Sequence, residues 1–256
     1  MGEFPWLDPA PFLLPGGRTG CVLIHGFTGA PVEMRPMAEY LAERGIAVAA
    51  PRLPGHGTRC QDMLGVTWEH WYSAVEASYL ELSRTCSSVF VGGFSLGALL
   101  ALHLAAQLPL PGLLVMSPAL ELGDRRAALV PILRFFLKYV AKDPDPAHTD
   151  LTDPEAYKRF WSYDVYPVEG AYQLWRLQRI VRSELSRVRC PTLVIYSTGD
   201  TAIGVHSGPG VYANVASTEK RQLILHNSGH GIVLDTECQS VFAEAHRWIT
   251  DHAPRA

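Results

Sequence analysis

The sequence predicts an α/β fold, with a mostly parallel central sheet that helices cover on both faces. Several short runs are apolar throughout, which is typical of strands buried on both faces of a sheet. Segments with apolar residues at helical spacing separate these runs, as in chains that build parallel sheets. The length of 256 residues suits one large α/β domain, or one domain that carries a sizeable insertion.

Six apolar runs predict the strands of this sheet. They cover residues 21–25, 46–50, 88–92, 112–116, 192–197 and 221–226. The helices predicted between and after them cover residues 31–44, 67–84, 96–107 and 239–250. Thr67 suits the N-cap of its helix because its hydroxyl can bond a free N–H of the first turn, and His70 stands where a capping-box glutamate would.

The alternation of strands and helices stops within residues 119–189, where no run predicts a strand. Apolar residues at helical spacing predict three helices there instead. They cover residues 125–140, 154–161 and 167–185. The segment Asp143-Pro-Asp-Pro predicts a break after the first of them. We therefore expect a core formed by residues 1–118 and 190–256, with a helical insertion at 119–189 between two core strands.

Composition and charge exclude several classes of function. The net charge of -3, with no run of like charges, argues against a nucleic-acid partner, which would need a basic stripe. No stretch of about 18 apolar residues predicts a transmembrane helix, and residues 1–14 lack the features of a signal peptide. The five cysteines form no CxxC pair, so we expect reduced thiols in a cytoplasmic protein with no metal site.

The pentapeptide Gly93-Phe94-Ser95-Leu96-Gly97 matches the pattern G-x-S-x-G. The glycine and serine content alone would produce about 0.1 such matches. The motif follows a predicted strand and opens a predicted helix, which is the setting of a nucleophile elbow. Such a turn projects the serine hydroxyl above the sheet, and its glycines let the strand and the helix pass close by. We predict that Ser95 is a nucleophile; the alternative is a glycine-rich turn without chemistry.

A serine nucleophile needs a histidine that takes its proton. In a strand–turn–helix site the chain order is serine, acid, histidine, and the histidine lies in a loop after the last strand. His226 and His230 are the candidates. We choose His230, because its flanking glycines leave the imidazole free to reach the serine. For His226, at the end of its strand, we expect a structural role.

The histidine in turn needs a carboxylate that orients it. Asp200 follows the fifth predicted strand and is the only carboxylate between Glu184 and Glu219. We therefore predict that Asp200 is the acid. The alternative is an acid after the fourth predicted strand, where Glu121 and Asp124 stand.

Attack on a carbonyl creates an oxyanion, which preorganised N–H groups must stabilise. One donor should be the backbone N–H of Leu96, the residue after the nucleophile. The second should lie in the loop after the first parallel strand, HGFTG at 25–29, where Phe27 is the candidate. His25 precedes this turn, and we expect it to hold the loop by a hydrogen bond. His56 stands between two glycines, which suits a buried hydrogen bond within a loop.

Five motifs give the chain a specific resemblance. They are HGFTG at 25–29, RLPGHG at 52–57, GFSLGA at 93–98, the aspartate after TLVIYS, and SGH at 228–230. In this order they resemble the small bacterial carboxylesterases and monoacylglycerol lipases of the α/β-hydrolase superfamily. The resemblance covers about residues 20–117 and 190–250, and residues 119–189 correspond to that family's helical cap.

The resemblance implies an α/β-hydrolase fold and a carboxylic-ester hydrolase that needs no cofactor. By motif match, Ser95, Asp200 and His230 would form the catalytic triad, with Phe27 and Leu96 as oxyanion donors. The implied partner is a small-molecule ester with a short- to medium-chain acyl group, or a monoacylglycerol. It would bind in an apolar acyl tunnel under the cap.

The loop after Asp200 departs from the family pattern. Gly204 and Val205 stand where the family usually has a proline, and the glycines between 204 and 210 predict a looser loop. His206 in this loop is expected to be a surface residue.

The same triad also serves other reactions, and these stay open at the level of sequence. Thioesterase, acyltransferase, peptidase and cofactor-free haloperoxidase chemistry are alternatives to ester hydrolysis. An idle scaffold that binds a small apolar ligand is a third hypothesis, which predicts a missing triad member. Four aromatic residues of the insertion favour an apolar acyl group, although packing within the insertion is the alternative use for them. They are Phe135, Phe136, Trp161 and Trp175.

Overall fold

The computed structural model of the protein describes residues 7–143 and 150–254. Two expectations extend beyond these ranges: the interpretation of the N-terminal segment includes residues 1–6, and most of the break predicted at 143–146 lies outside the described residues. The α/β prediction is confirmed, because seven strands form one mostly parallel sheet that helices flank.

The described residues form nine β-strands. They are β1 (Phe12–Leu14), β2 (Thr19–Ile24), β3 (Ala47–Ala50), β4 (Ser88–Phe94), β5 (Leu113–Met116), β6 (Tyr139–Ala141), β7 (Val165–Pro167), β8 (Thr192–Ser197) and β9 (Lys220–Leu225). The central sheet has the order β1-β3-β2-β4-β5-β8-β9. Only β1 is antiparallel to its neighbour; the other five pairings are parallel. All six predicted strands are present. The edge strand β1 is not among the predictions, because it is too short to show a period in the sequence.

The described residues also form seven α-helices. They are α1 (Arg35–Ala42), α2 (Trp68–Leu82), α3 (Leu96–Gln107), α4 (Val130–Leu133), α5 (Val168–Glu184), α6 (Ser207–Asn214) and α7 (Cys238–His252). Short 3₁₀-helices cover Pro31–Met34, Cys60–Met63, Arg125–Leu129, Ala156–Arg159 and Leu185–Arg187. The cap at the start of α2 is as predicted, because the Thr67 N–H donates to His70 Nδ1 at 3.1 Å.

Alternate residues of each central strand face two separate apolar cores. Val22 and Ile24 of β2 pack in one core with α2, α3 and α5. Cys21 and Leu23 pack in the other core with α1 and α7. All four side chains are fully buried. Burial on both faces explains why the strands are apolar throughout instead of alternating.

The segment between β5 and β8 is less helical than its apolar spacing predicts. α5 lies almost where expected, but residues 125–140 form a 3₁₀ turn, a single turn of α4 and the strand β6. Pro131 explains the first interruption, because proline has no N–H and is tolerated only in the first turn of a helix. Residues 154–161 form only the 3₁₀ turn Ala156–Arg159.

The prediction that this segment holds no strand is wrong. β6 and β7 pair antiparallel, with Tyr139 opposite Pro167 and Ala141 opposite Val165. Each strand has three residues, which is too few for a polar and apolar alternation to stand out in the sequence.

The loop after Asp200 is more ordered than its glycines predict. α6 begins at Ser207, directly after the exposed His206, and includes two of the three glycines. A Cβ on Gly208 would lie 2.5 Å from the ring of Tyr196. This glycine therefore allows close packing of α6 on β8, and the expectation of a looser loop is wrong here.

Two observations bear on the compartment and the membrane. None of the helices in the described ranges combines the length and the apolar character that crossing a bilayer requires. All five cysteines are free thiols.

Candidate active site

Ser95 occupies a strained turn between a strand and a helix. β4 ends at Phe94 and α3 begins at Leu96, so Ser95 is the single residue that joins them. Its backbone has φ 56° and ψ −112°, which lies outside the regions that L-residues ordinarily occupy. The Ser95 N–H donates to the carbonyl of Met116 at 2.9 Å, and the Ser95 carbonyl accepts from Ala98 at 3.2 Å. These bonds hold the turn in its strained conformation.

The two glycines of the motif are required by close packing around this turn. A Cβ on Gly93 would lie 2.1 Å from the carbonyl oxygen of Gly97. A Cβ on Gly97 would lie 2.2 Å from the carbonyl oxygen of Ile24, at the end of β2. Backbone atoms cannot approach a carbon so closely, so both positions demand glycine.

The three residues predicted to form the triad lie side by side. Ser95 Oγ is 2.9 Å from His230 Nε2, and His230 Nδ1 is 2.8 Å from Asp200 Oδ2. The other oxygen of Asp200 accepts the N–H groups of Ala202 and Ile203 at 3.1 and 3.2 Å. Because a carboxylate only accepts, we assign the imidazole proton to Nδ1, which leaves Nε2 free to accept the serine proton.

The alternative candidates for the histidine and for the acid lie outside this hydrogen-bonded set. His226 is exposed and pairs with Thr198 Oγ1 at 3.1 Å, as expected for a structural residue. Glu121 forms an ion pair with Arg182, and Asp124 pairs with Arg126. The hydrogen-bonded set at Ser95 is therefore completed by Asp200 and His230.

The turn that carries Phe27 lies directly against the serine. A Cβ on Gly26 would lie 3.5 Å from the Cβ of Ser95. Thr28, the next residue after Phe27, has φ 62°, so the turn passes through the left-handed region. The ring of Phe27 packs against His56 and Trp71, with centroid distances of 5.9 and 6.3 Å. This packing fixes the direction of the turn. A Cβ on Gly97 would lie 2.8 Å from the His25 carbonyl oxygen, so the start of α3 is also close to this turn.

Both buried histidines near this turn have the structural role predicted for them. His25 Nε2 accepts the Leu53 N–H at 3.2 Å, and His25 Nδ1 donates to the Gly26 carbonyl at 2.9 Å. His56 donates from Nδ1 to the Pro54 carbonyl at 3.2 Å. Burial lowers the pKa of His25 to about 4 and holds the pKa of His56 well below its usual range. Both side chains are therefore neutral at pH 7 and act as hydrogen-bonding supports.

Two ionisable residues that the sequence does not single out lie beneath the same turn. Glu33 is buried and accepts the Gly26 N–H at 3.2 Å. Lys142 donates to Thr28 Oγ1 at 2.7 Å and to Ser162 Oγ at 2.6 Å. Burial raises the pKa of Glu33 to about 8 and lowers the pKa of Lys142 to about 8. Neither residue belongs to a motif, so nothing in the sequence points to them.

The loop that carries His230 is held by side chains that sequence reasoning also misses. Ser117 Oγ donates to the His230 carbonyl at 3.1 Å. The buried carboxylate of Asp235 accepts the N–H groups of Gly229, Thr152 and Asp153, at 2.7 to 3.1 Å. The only signal for Asp235 is a lone carboxylate directly after the apolar run at 232–234. Within the described ranges, no cluster of His, Cys, Asp or Glu side chains has the arrangement of a metal site.

Comparison with known proteins identifies the family. The sequence model of the Alpha/beta hydrolase family matches residues 21–245. A thermostable monoacylglycerol lipase from Bacillus sp. (strain H-257) is 32% identical over 98% of each chain. A carboxylesterase from Bacillus subtilis (strain 168) is 26% identical over 95% of this chain and 97% of its own. A structure from work on LipS and LipT, two metagenome-derived lipolytic enzymes, has a TM-score of 0.90 at 30% identity, over 97% of this chain and 99% of that one. This chain belongs to the Alpha/beta hydrolase family.

Proposed function

We propose that this protein hydrolyses carboxylic esters through an acyl-enzyme formed on Ser95. The observation that carries the proposal is the chain of hydrogen bonds from Ser95 Oγ through His230 to Asp200, with distances of 2.9 and 2.8 Å. It starts on a strained elbow of the kind that presents a serine hydroxyl to a carbonyl substrate. The names of the two Bacillus relatives, a monoacylglycerol lipase and a carboxylesterase, support the choice of ester as the bond that is cleaved.

The geometry suits acylation and deacylation with one base. As Ser95 Oγ attacks the ester carbonyl carbon, His230 Nε2 takes the hydroxyl proton. The resulting imidazolium is stabilised by the carboxylate of Asp200 and gives the proton to the departing alcohol oxygen. Water then enters, loses a proton to Nε2, and attacks the acyl carbon. Collapse of the second tetrahedral intermediate releases the acid and returns the proton to Ser95.

We propose Phe27 and Leu96 as the backbone donors to the oxyanion. Leu96 is the first residue of α3, where N–H groups have no partner within the helix. Phe27 stands in the turn whose Gly26 packs against Ser95. The start of α3 packs against the carbonyls of Ile24 and His25, which supports two N–H donors close to one bound carbonyl oxygen. Removing one such donor typically costs about 10²- to 10³-fold in rate.

We propose residues 119–189 as a cap over the site, with residues 1–118 and 190–256 as the core. Contacts between the two parts support this division. The Tyr163 N–H donates to the Thr28 carbonyl at 3.3 Å, and the Tyr163 hydroxyl donates to the Gly55 carbonyl at 2.7 Å. A Cβ on Gly170, in α5, would lie 3.0 Å from the Phe27 ring. The segment therefore lies against the turn at residues 25–29, which carries the proposed donor Phe27.

We propose short- to medium-chain acyl esters or monoacylglycerols as substrates. The apolar core on this face of the sheet, which includes Leu96, Leu120 and Trp161 with Phe27 packed against it, supports an apolar acyl group. Of the four aromatic residues predicted to favour such a group, Trp161 is buried in this core and Trp175 is half-buried. Phe135 and Phe136 are 73% and 78% exposed, so they do not wall a buried acyl site.

A matched pair of variants tests the proposed function. Ser95→Ala should lower kcat for p-nitrophenyl butyrate by about 10⁴-fold or more, because the nucleophile is lost. Ser88→Ala is the control, since Ser88 starts the same strand and its buried hydroxyl bonds no described group. It should keep kcat within about twofold. Parallel assays with a butyryl thioester and a butyryl anilide should show slower turnover than the ester; a preferred thioester would contradict the ester assignment.

We also propose the cytoplasm as the compartment. The five free thiols support it, because disulfides are the common state of cysteine pairs in secreted proteins. Fractionation of the source cells with a cytoplasmic marker tests this, and recovery with an extracytoplasmic fraction would contradict it.

A further inference from the structure

One carboxylate outside the triad bonds the loop that carries the predicted acid. Asp150 lies in the insertion, and its Oδ2 accepts the N–H groups of Thr201 and Ala202, each at 2.8 Å. These are the two residues directly after Asp200. The Ala202 N–H also donates to Asp200 Oδ1 at 3.1 Å, so it lies between the two carboxylates. Asp150 therefore contacts the turn that aims Asp200.

The same residue also bonds the loop that carries the predicted base. The carbonyl of Asp150 accepts the His230 N–H at 2.9 Å. The approach of the two chains is so close that a Cβ on Gly229 would lie 2.4 Å from this carbonyl oxygen and 2.7 Å from Asp150 Oδ1. The glycine before the histidine is thus explained by the passage of Asp150. One residue of the insertion joins both loops.

The neighbouring charges agree with this placement. Burial raises the pKa of Asp150, the N–H of Thr201 lowers it, and the charge of Asp200 raises it again. His230 acts in the opposite direction. The carboxylate of Asp150 is thus within electrostatic range of both residues, which are otherwise 30 positions apart in the chain.

We propose that Asp150 is a positioning residue, which fixes Asp200 and His230 relative to each other through its carboxylate and its carbonyl. The proposal rests on the proposed function of the triad. The side chain holds the acid turn from one side, while the main chain holds the histidine loop from the other. Because a misplacement of about 1 Å at a catalytic group can cost about 10²-fold in rate, loss of this link should lower kcat.

Three substitutions separate position from charge. Asp150→Asn keeps the length and an accepting oxygen but removes the charge, whereas Asp150→Glu keeps the charge and displaces the oxygen by one methylene. Asp150→Ala removes both. We expect kcat for p-nitrophenyl butyrate to stay within about threefold for Asn, and to fall about 10- to 100-fold for Glu and Ala. KM should stay within about twofold, because Asp150 acts through the triad.

Glu155→Ala is the matched control in the same segment. The exposed Glu155 carboxylate pairs with Lys158 and, among the described residues, makes no bond to either triad loop. This variant should keep kcat within about twofold, and thermal unfolding of every variant should show one folded state. If Asp150→Ala fails to fold, the comparison of Asn with Glu decides.

The outcomes separate this proposal from the proposed function. An active wild-type protein and an inactive Ser95→Ala variant support the triad whatever Asp150 does. With the triad supported, a Glu variant as active as the wild type, or an Asn variant as impaired as Glu, overturns the positioning role. Absence of ester hydrolysis by the wild type would contradict the proposed function itself.

Discussion

The ammonium nitrogen of Lys142 lies 2.7 Å from the hydroxyl oxygen of Thr28, a contact between the insertion and the first core loop. Thr28 has φ 62° and directly follows Phe27, the proposed oxyanion donor. The same ammonium group donates to Ser162, and the Thr28 and Ser162 hydroxyls are 3.0 Å apart. One ammonium group from the segment between β5 and β8 therefore bonds the turn that carries Phe27.

Replacing Lys142 with methionine tests this link. The substitution keeps most of the side-chain volume and removes the charged donor. Kcat should fall about tenfold, less than for loss of an oxyanion donor itself, because the two hydroxyls can still bond each other. Lys158→Met is the control, since exposed Lys158 in the same insertion pairs only with Glu155 among described residues. Steady-state kinetics on a p-nitrophenyl ester check it, and equal kcat for both variants would refute the link.

The raised pKa of Glu33 predicts how the stability of the fold depends on pH. Its pKa is about 8 in the folded protein, because of burial, against an ordinary value of 4.5. The folded state therefore binds more protons than the unfolded state between these values, and the free energy of unfolding should fall as pH rises from about 5 to 8. Glu33→Gln imitates the protonated side chain and should remove this fall.

Urea unfolding at pH 5, 6.5 and 7.5 measures the effect. The wild-type protein should lose stability relative to Glu33→Gln across the series, whereas exposed Glu43→Gln should follow the wild type. If the free energy of unfolding changes equally with pH for the wild type and Glu33→Gln, then Glu33 does not keep its proton in the folded state.

Substitution by alanine should change the free energy of unfolding in opposite directions at an elbow glycine and at a glycine of α6. Gly97→Ala places a carbon against the Ile24 carbonyl and should destabilise the protein by more than about 3 kcal/mol. Gly210→Ala meets no atom within 4 Å and should stabilise α6 by about 0.5–1 kcal/mol. Thermal unfolding gives both values. A Gly97→Ala variant with wild-type stability would contradict the close packing of the elbow.

For Asp235 we predict the opposite dependence of the free energy of unfolding on pH. Burial alone would raise the pKa of Asp235, but the N–H groups of Thr152, Gly229 and Asp153 outweigh it and hold the pKa below its usual value. A carboxyl with a lowered pKa stabilises the fold above about pH 4, and that contribution is lost as pH falls. Asp235→Asn should therefore cost about 3 kcal/mol at pH 7, and clearly less at pH 3.

Thermal unfolding at the two pH values measures this cost. At pH 7 the Tm should fall by about 6–12 °C. Exposed Asp251→Asn is the control and should change little at either pH. A cost for Asp235→Asn that is equal at pH 3 and pH 7 would show that the ionised carboxylate is not what holds the histidine loop.

The central strands and the residues of the proposed triad are predictable from the sequence, because each has a local signal. Burial on both faces makes β2 and β4 apolar throughout, and the elbow needs Gly93 and Gly97 around Ser95. The loop glycines likewise single out His230. These signals depend on a few neighbouring residues, so they can be recognised without knowledge of the fold.

The insertion and the supports of the site are not predictable in this way. The apolar spacing of 125–140 predicts a helix, but Pro131 divides it, and Phe135 and Phe136 stay exposed. Asp150 and Lys142 contact residues that are far away in the chain, whereas Glu33 contacts Gly26, seven positions before it, across a turn. A single carboxylate or lysine in a loop gives no pattern, and its role becomes visible only when the chain is folded.

Covalent labelling tests the central claim, that Ser95 is the nucleophile, most directly. The wild-type protein is treated with a fluorophosphonate probe, and residual ester hydrolysis is measured beside the mass of the adduct and its site in a peptide map. We predict one adduct per chain, located on Ser95, with activity lost in proportion to labelling. Full labelling at another residue, or full activity in a protein labelled at Ser95, would contradict the account.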